Sequence, residues 1–469
     1  VILVATVGPG AVNGVNVVAN ADQDRVPMIV LTGCVDAHEA ETYTHQVLDH
    51  RAVFAPITRA TFTLTAEAAD VVADKAVIAA TEGRCGPVLI DVPISVADAP
   101  ATDRGRRRGP MARAVPAPGD LITARDWLAA AERPLIVAGL DILYDDSAAD
   151  LVALAETLGA PVITTYKAKG VIPEDHPLSL GGAGLSPLAD THLMPLVRQA
   201  DVILAAGYDP IEMRTGWRAP WDATAQKVID LGATANTQYM HTATLNIVAD
   251  TRATLAALAD GLAPRATWPG GEPASTKAAL ARAFPADADW GAAAVIATAR
   301  ATLPPDTIAT VDSGAHRILL SQMWACPAPR TLLQSSGLCT MGCAVPLAIG
   351  AKLAAPDRPV VGFSGDAGFL MVAGELATAA EYAIAPVFVV FVDRSLALIE
   401  LKQRQRQMPN TGVDFGQHDF AAIGRAFGGH GVTVHTRTDL QQALTTALAA
   451  DRFTVIAAEI PRRDYDGRI

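Results

Sequence analysis

Short apolar runs alternate with segments of helical periodicity along most of the chain, which is the pattern of parallel α/β domains. The clearest case is the stretch 359–393. Two apolar runs, at 359–364 and 386–392, flank a segment at 370–382 whose apolar residues recur at helical spacing. Such a strand–helix–strand unit makes a right-handed crossover, so it places two parallel strands close together in one sheet.

The same alternation divides the chain into three parts separated by Pro- and Gly-rich segments. The apolar runs at 1–6, 27–32 and 87–92 predict strands of a first layer, which begins in mid-strand. We therefore predict the fold class α/β, with three doubly wound parallel-sheet domains, the first incomplete at its N-terminus. The predicted boundaries are 1–100 for the first domain, 101–119 for a linker, 120–263 for the central domain, 264–285 for a second linker and 286–469 for the third domain.

Composition supports this prediction and argues against several classes of function. Half of the 469 residues are hydrophobic and 18% are charged, which is ample for buried parallel sheets. The net charge of −12 argues against nucleic-acid and anionic-membrane partners. No apolar run is long enough to cross a bilayer, and no signal peptide opens the chain. The five cysteines include no C-x-x-C pair, so we expect free thiols and a cytoplasmic location.

One basic cluster runs against the overall acidity. Arg104, Arg106, Arg107 and Arg108 lie in the first predicted linker. We interpret them as solvated linker residues rather than as a nucleic-acid contact, because the protein is acidic overall.

Two acidic residues directly follow the two strands of the opening stretch. Asp366 follows the first strand and Asp393 the second, so both are predicted at the carboxyl edge of one sheet, where open α/β folds bind ligands. Gly365, Ala367 and Gly368 allow close backbone approach at a helix N-terminus, which suits a phosphate group. Carboxylates beside a phosphate need a cation between them, typically Mg²⁺. The pattern predicts a metal-bridged diphosphate site; the alternative is a solvated Gly-rich turn.

The run G-D-A-G-F-L-M, followed by V-D-R-S, resembles the cofactor motif of thiamine diphosphate-dependent enzymes, G-D-G and then N-N or N-D. Two positions depart from that motif: Ala367 replaces a glycine, and Val392 replaces the first asparagine. The resemblance implies thiamine diphosphate and Mg²⁺ as cofactors. By the same resemblance the metal is held by the side chains of Asp366 and Asp393 and by the backbone carbonyl of Ser395.

Other segments extend the resemblance. G-P-G-x-x-N at 8–13 is similar to the family's pyrimidine-side loop, and D-S-G-A-H at 312–316 to its diphosphate-contacting turn. The first domain is then the pyrimidine-binding domain and the third the diphosphate-binding domain. The cofactor contacts implied by these motifs are Pro9, Asn13, Gly314, Ala315, His316, Gly365, Asp366, Ala367, Gly368 and Asp393.

The segment Q-S-S-G-L-C-T-M-G-C-A-V-P at 334–346 resembles the one before the family's pyrophosphate helix. Met341 matches the bulky apolar residue that supports the bent cofactor. The backbone carbonyl of Cys339 matches the acceptor for the cofactor's 4′-amino group. Packing in the core is the alternative for Met341, and the motif around it favours the cofactor role.

The stretch at 44–58, T-H-Q-V-L-D-H-R-A-V-F-A-P-I-T, resembles the catabolic acetolactate synthases, with Gln46 at the position of their active-site glutamine. The R-F-D-D-R segment that accompanies FAD in the biosynthetic branch is lacking, so FAD is doubtful. The resemblance implies decarboxylation of a 2-oxo acid, such as pyruvate, and carboligation to a second carbonyl. It also implies a homodimer or homotetramer with the active site at the subunit interface.

The family's catalytic glutamate lies upstream of the G-P-G turn, before this sequence begins. A first residue Val1 instead of Met and a half-complete first sheet favour a fragment of a longer product over an impaired enzyme. We expect the 469-residue chain by itself to be poorly active. The reason is that general acid–base catalysis typically contributes ~10²–10⁴-fold to a rate.

Two alternatives stay open. One is another thiamine enzyme, either a simple 2-oxo acid decarboxylase or an acetyl-transferring relative such as sulfoacetaldehyde acetyltransferase. The other is a non-catalytic cofactor-binding paralogue. A Rossmann-type NAD enzyme is disfavoured, because no G-x-G-x-x-G follows the first strand of any predicted domain.

Overall fold

The computed structural model describes residues 1–105, 107–109 and 111–469, with residue 212 described by its backbone alone. The described chain divides into two compact units. The first unit comprises residues 1–113 and 336–338, and the second comprises 114–335 and 339–469. Arg106, from the basic cluster of the predicted linker, lies outside the described residues. Within the described ranges, no helix combines the length and apolarity needed to cross a bilayer.

The first unit contains a parallel sheet with the strand order β1-β2-β4-β3. Its strands are β1 Ile2–Ala5, β2 Met28–Cys34, β3 Ala60–Thr63 and β4 Pro87–Pro93. Its helices are α1 Pro9–Asn13, α2 Val15–Gln23, α3 His50–Phe54 and α4 Ala69–Thr81, with 3₁₀ turns at Ala55–Ile57, Ala66–Ala68 and Ile94–Val96. The central strand β4 is buried over residues 87–91, as expected for a strand covered on both faces.

The second unit begins with a parallel sheet in the order β10-β9-β8-β5-β6-β7. Its strands are β5 Pro134–Ala138, β6 Val162–Thr165, β7 Ser179–Ala183, β8 Val202–Ala206, β9 Lys227–Gly232 and β10 Leu245–Val248. Its helices are α5 Pro118–Ala130, α6 Asp141–Tyr144, α7 Ala148–Leu158, α8 Pro187–Gln199 and α9 Thr251–Ala259, with 3₁₀ turns at Pro210–Glu212 and Thr215–Trp217. Strands β5 and β8 are fully buried, which makes them the centre of this domain.

The segment 264–285, which we expected to be a linker, contains helix α10, Glu272–Ala283. The P-G-G run before it caused the linker prediction. Pro273 near the helix N-terminus was the available signal for a helix start. The side chain of Lys277 on α10 donates to the backbone carbonyls of Glu174 (3.1 Å) and His176 (2.6 Å). The segment therefore packs on the central domain.

The remaining sheet of the second unit has the order β12-β11-β13-β14-β16-β15, again parallel. Its strands are β11 Ile308–Val311, β12 Leu332–Gln334, β13 Val360–Gly365, β14 Val387–Val392, β15 His430–Val434 and β16 Thr454–Glu459. Its helices are α11 Ala292–Thr302, α12 Ala315–Met323, α13 Ala344–Ala354, α14 Asp366–Val372, α15 Leu376–Glu381, α16 Ala397–Gln405, α17 Phe420–Ala426 and α18 Arg437–Leu448, with a 3₁₀ turn at Ala373–Glu375. Strands β13 and β14 are direct neighbours, as the crossover predicted.

The three sheets confirm the predicted fold class, α/β with three parallel-sheet domains. In the last sheet the strand order reverses around β11: the chain first adds β12 on one side and then crosses to β13 on the other. Ligands of open α/β sheets bind outside the carboxyl ends of the strands at such a reversal. The loops after β11, β13 and β14 are therefore the place to look for a site.

Candidate functional site

A cavity of about 270 Å³ opens where these three loops meet. All of the residues proposed from the sequence for the diphosphate and metal side line this single cavity, together with Cys339 and Met341. They are Gly314, Ala315, His316, Cys339, Met341, Gly365, Asp366, Ala367, Gly368, Asp393 and Ser395. Other lining residues are Ser313, Phe391, Leu396, Ala397, Leu398, Ile399 and Tyr465.

Asp366 links the ends of the two neighbouring strands. Its Oδ1 accepts the amide N–H of Ala367 (2.8 Å), and its Oδ2 accepts those of Arg394 (2.7 Å) and Asp393 (3.2 Å). Burial raises the pKa of Asp366 to about 6, although these amide bonds oppose the rise. The carboxylate thus fixes the turn after β14 against the start of α14.

Asp393 is a second buried carboxylate beside the first. Its Oδ1 accepts the amide N–H of Ser395 at 3.1 Å. Burial raises the pKa of Asp393 to about 7, and the negative charges of Asp366 and Glu400 add to the rise. Within the described part of the chain, no three His, Cys, Asp or Glu side chains cluster as a metal site. A hard cation here would therefore need carbonyl, water or ligand oxygens in addition to the two carboxylates.

Asp312 holds the loops of the cavity together and was not among the predicted site residues. Its Oδ1 accepts the amide N–H groups of Ser313 (2.6 Å) and Gly342 (2.5 Å), and its Oδ2 accepts the hydroxyl of Ser364 (2.8 Å). Burial raises the pKa of Asp312 to about 6. The sequence signal was available, since Asp312 directly follows strand β11 as Asp366 and Asp393 follow theirs.

His316 presents a buried polar atom in the wall of the cavity. Its ring stacks on Phe391 with a centroid distance of 5.4 Å, and the residue is 5% exposed. Burial, together with the adjacent Arg317 guanidinium, lowers its pKa to about 3, so the ring is neutral near pH 7. Among the described residues, none hydrogen-bonds its buried Nε2 atom. A buried polar atom of this kind fits a ligand that completes the hydrogen bond.

Cys339 and Met341 line the same cavity from the segment between β12 and α13. Cys339 has a left-handed backbone, with φ +52°, which is uncommon for a residue with a Cβ. The guanidinium of Arg317 donates to its Sγ at 2.9 Å. This segment also contains Gly342, whose amide N–H donates to Asp312. The segment is therefore held against the loop after β11.

The C-terminal segment contributes residues that sequence analysis missed. Tyr465 is 3% exposed and lines the cavity. Arg462 and Arg463 bond to Glu400 on α16, and the hydroxyl of Ser395 donates to Oε2 of Glu400 at 2.5 Å. No motif marks this segment, because it follows the last strand and lacks regular structure.

Pro9, Asn13 and Gln46 lie in the first unit. Pro9 and Asn13 are the first and last residues of helix α1, and all three side chains are exposed. Gly8, just before Pro9, has φ +65°, and a Cβ built on it would lie 3.2 Å from Cβ of Gln46. The structure therefore places Gln46 next to the G-P-G turn, although the two are far apart in sequence.

Models of three domains match the chain. They are the N-terminal TPP binding domain of thiamine pyrophosphate enzymes over residues 1–53, the central domain over 121–258, and the C-terminal TPP binding domain over 312–458. The last match contains the whole cavity except Tyr465.

Curated relatives match along nearly the whole chain. A probable acetolactate synthase large subunit of Methanocaldococcus jannaschii is 30% identical, covering 96% of this chain and 79% of the relative. The catabolic acetolactate synthase of Raoultella terrigena is 28% identical, covering 99% and 84%. A probable 2-ketoarginine decarboxylase of Pseudomonas aeruginosa is 32% identical, covering 90% and 76%.

Proposed function

The chain belongs to the thiamine pyrophosphate enzyme family, and from this premise we propose that it decarboxylates a 2-oxo acid such as pyruvate and ligates the product to a second carbonyl. Similarity to acetolactate synthases, one of them catabolic, supports this reaction. The observation that carries the proposal is the cavity in which the diphosphate-side motifs of the third domain converge.

The residues of the cavity fit the diphosphate end of the cofactor. The turn Gly314–His316 and the turn Gly365–Gly368 would hold the diphosphate, with Nε2 of His316 as a buried group in need of a partner. The carboxylates of Asp366 and Asp393 and the carbonyl of Ser395 would hold Mg²⁺. Burial raises the pKa of both carboxylates, and the charge of Asp366 adds to the rise at Asp393, so a divalent cation would stabilise their charged forms.

The remaining predicted residues would act on the rest of the cofactor and on the substrate. Met341 would give apolar support, and the carbonyl of Cys339 would accept a hydrogen bond from the 4′-amino group. Pro9, Asn13 and Gln46 would serve the pyrimidine side. When bound, thiamine diphosphate supplies a carbon nucleophile and an electron sink for loss of CO₂. The apolar side chains of Leu396, Leu398 and Ile399 would limit the access of water to the reacting centre.

The proposal includes a homodimer or homotetramer with its active sites at subunit interfaces, as the family resemblance implies. Several relatives, among them the one from Methanocaldococcus jannaschii, are described as large subunits, which supports assembly with further chains. A cytoplasmic location is also proposed, because all five cysteines are free thiols. FAD is not part of the proposal.

A second candidate reaction is simple decarboxylation of a larger 2-oxo acid. The similarity to a probable 2-ketoarginine decarboxylase favours it. Incubation with pyruvate separates the two reactions, because acetolactate, which gives acetoin in acid, indicates carboligation, whereas acetaldehyde indicates decarboxylation alone. Loss of CO₂ from 2-ketoarginine but not from pyruvate would favour the second candidate.

The central test is a calorimetric titration of thiamine diphosphate into metal-stripped protein, with and without Mg²⁺. We expect binding that needs Mg²⁺ and that weakens by more than ~100-fold in Asp393→Asn, since loss of residues that merely orient a metal ligand already costs ~10–100-fold. The control is Asp451→Asn, whose side chain is 83% exposed. Absence of binding by the wild type, or equal binding without Mg²⁺, would contradict the proposal.

A further inference from the structure

A buried hydrogen-bond chain in the first unit ends on the G-P-G turn. The amide N–H of Gly8 donates to Nε2 of His50 at 3.1 Å. Nδ1 of His50 lies 2.9 Å from Oδ1 of Asp91, which also accepts the hydroxyl of Thr32 at 2.5 Å. His50 and Thr32 are 0% exposed and Asp91 is 5% exposed. These hydrogen bonds therefore run from the middle of the sheet to the turn almost entirely shielded from solvent.

The hydrogen-bond partners of His50 determine the tautomer of its imidazole ring. A backbone amide can only donate, so Nε2 of His50 must carry a lone pair. The carboxylate of Asp91 can only accept while ionised, so Nδ1 carries the hydrogen. His50 is then a neutral ring with a defined tautomer, held by Asp91 on strand β4. Strand β2, which carries Thr32, pairs directly with β4 and braces the carboxylate.

The Gly8 amide needs this acceptor. Gly8 is buried, adopts φ +65°, and caps helix α1 without any side-chain cap bond. Its neighbour Pro9 has no amide hydrogen, so the turn has few donors with which to be anchored. The contact with His50 thus sets the direction in which Pro9 leaves the sheet, and with it the start of α1.

A direct catalytic role does not fit this arrangement. Nε2 of His50 already accepts from Gly8, and Nδ1 is directed to Asp91, so neither nitrogen is available to a substrate. The ring is also fully buried. Its effect on a ligand must therefore pass through the turn that it holds.

We propose that His50, oriented by Asp91, is a positioning residue that fixes the Gly8–Pro9 turn in the geometry that receives the pyrimidine side of thiamine diphosphate. The inference rests on the proposed function for the identity of the ligand. The contact itself, between His50 and the Gly8 amide, belongs to the free protein.

The first measurement is hydrogen exchange of the Gly8 amide in the cofactor-free protein, followed in peptides covering residues 7–12. In His50→Leu the amide loses its acceptor, and we expect exchange faster by at least ~10-fold. His50→Gln keeps an acceptor oxygen on an unconstrained chain, so an intermediate rate is expected. The matched control is His38→Leu, which removes an exposed histidine of the same unit and should leave the Gly8 rate unchanged.

The second measurement is cofactor affinity against turnover. We expect His50→Leu to raise the apparent Kd for thiamine diphosphate by ~10-fold or more, while kcat at saturating cofactor stays within a few-fold of wild type. Loss of kcat at unchanged Kd would overturn the positioning role, as would wild-type exchange at Gly8 combined with wild-type affinity. If His50→Leu does not fold, His50→Gln decides by the same two readouts: a change in both supports the inference, and wild-type values overturn it.

Failure of the proposed function gives a different result. If wild-type protein binds no thiamine diphosphate but Gly8 exchange still depends on His50, the proposed ligand is wrong and the anchoring of the turn stands. If the wild type binds the cofactor and the Gly8 amide exchanges at the same rate in wild type and His50→Leu, the inference fails and the proposed function survives.

Discussion

Ala367 and Gly368 are adjacent small residues in the cofactor-like motif, and only Gly368 lacks the space for a Cβ atom. The side chain of Ala367 is half-buried and tolerated. A Cβ on Gly368 would collide with Oδ2 of Asp312 and crowd the amide of Gly342. The sequence predicted the turn and its glycines. It could not reveal which of the two positions has no space for a Cβ atom, because the space is filled by the side chain of Asp312, which is distant in sequence.

We therefore expect Gly368→Ala to destabilise the second unit by about 1–3 kcal/mol through overpacking. It should also weaken thiamine diphosphate binding, since Asp312 must move. All six tryptophans lie in the second unit, so urea denaturation followed by tryptophan fluorescence measures the stability change. The matched control is Gly374→Ala, where a Cβ meets nothing within 4 Å. Equal stability of the two variants would show that the collision with Asp312 is relieved at no cost.

Asp312 makes the stability of the second unit depend on pH, and burial of its carboxyl group determines the sign of this dependence. Its folded-state pKa of about 6 lies above the ordinary value of 3.8, so the folded state holds the proton more tightly than the unfolded state. This stabilisation is present at acid pH and is lost as the pH rises from about 4 to about 6, with a size of about 3 kcal/mol. Asp312→Asn keeps an acceptor oxygen for the two amides, and its side chain does not ionise.

The expected result is that Asp312→Asn gains stability relative to wild type by up to about 3 kcal/mol between about pH 4 and pH 7. Urea denaturation of both proteins across this range, again by tryptophan fluorescence, measures the difference. Parallel pH profiles for the two proteins would refute the assignment.

At the scale of elements, strand patterns proved more informative than helix patterns. Long apolar runs predicted the neighbours β13 and β14, and Val392 ends β14 as a buried strand residue. The helical segment after β1 is divided at Gly14 into α1 and α2. A Cβ on Gly14 would press against Leu3, so close packing on β1 explains the glycine. Such breaks depend on tertiary contacts that periodicity does not encode.

Helix α16 carries Glu400, which connects the site to the C-terminal segment. Its carboxylate is 1% exposed and accepts a hydrogen bond from the Ser395 hydroxyl. It also accepts hydrogen bonds from the guanidinium groups of Arg404, Arg462 and Arg463. Burial opposes the charge, yet these hydrogen bonds lower the pKa of Glu400 to about 2. The glutamate thereby fixes Ser395, whose carbonyl is a proposed metal ligand.

We expect Glu400→Gln to cost about 1–3 kcal/mol in stability, because buried charged hydrogen bonds are lost. The affinity for Mg²⁺ with thiamine diphosphate should fall as well, since Ser395 is no longer held. Calorimetric titration at fixed cofactor measures the second effect. The control is Glu381→Gln, an exposed residue of α15. If the two variants bind Mg²⁺ equally well, Glu400 has no role in positioning Ser395.

At the scale of the whole molecule, the class and number of sheets followed from the sequence, whereas contacts made by irregular segments did not. Tyr465 shows this, because no pattern predicts that a residue beyond the last strand returns to the cavity. The linker arginines are another case. Arg104 pairs with Asp70 at 2.8 Å, and Arg108 pairs with Glu82, so these positive charges bind acidic residues of helix α4 and its C-terminal cap.

Lys169 is the buried charge that links the two sheets of the second unit. Its Nζ lies 2.5 Å from Oε1 of Glu174, and the lysine side chain is 1% exposed. Oε2 of Glu174 accepts the amide N–H of Cys326 at 2.9 Å, which connects the loop after β6 to the loop before β12. Burial lowers the pKa of Lys169, but the charge of Glu174, the charge of Cys326 and the hydrogen bond to Glu174 together outweigh burial, and the net shift is upward. Lys169 is therefore charged in the folded protein.

Breaking this pair from one side should be costly, because it leaves the Glu174 carboxylate buried without its partner. We expect Lys169→Met to destabilise the second unit by about 3–5 kcal/mol, and Lys169→Met combined with Glu174→Gln to recover part of the loss. Urea denaturation by tryptophan fluorescence reports on this unit alone. The matched control is Arg252→Met, which removes an exposed partner of Asp150 and should cost less than about 1 kcal/mol. Additive effects of the Lys169 and Glu174 changes would mean that the two charges do not depend on each other, and that the two sheets are held together by their other contacts, such as the hydrogen bonds of Gln322 with Tyr166 and Gly182.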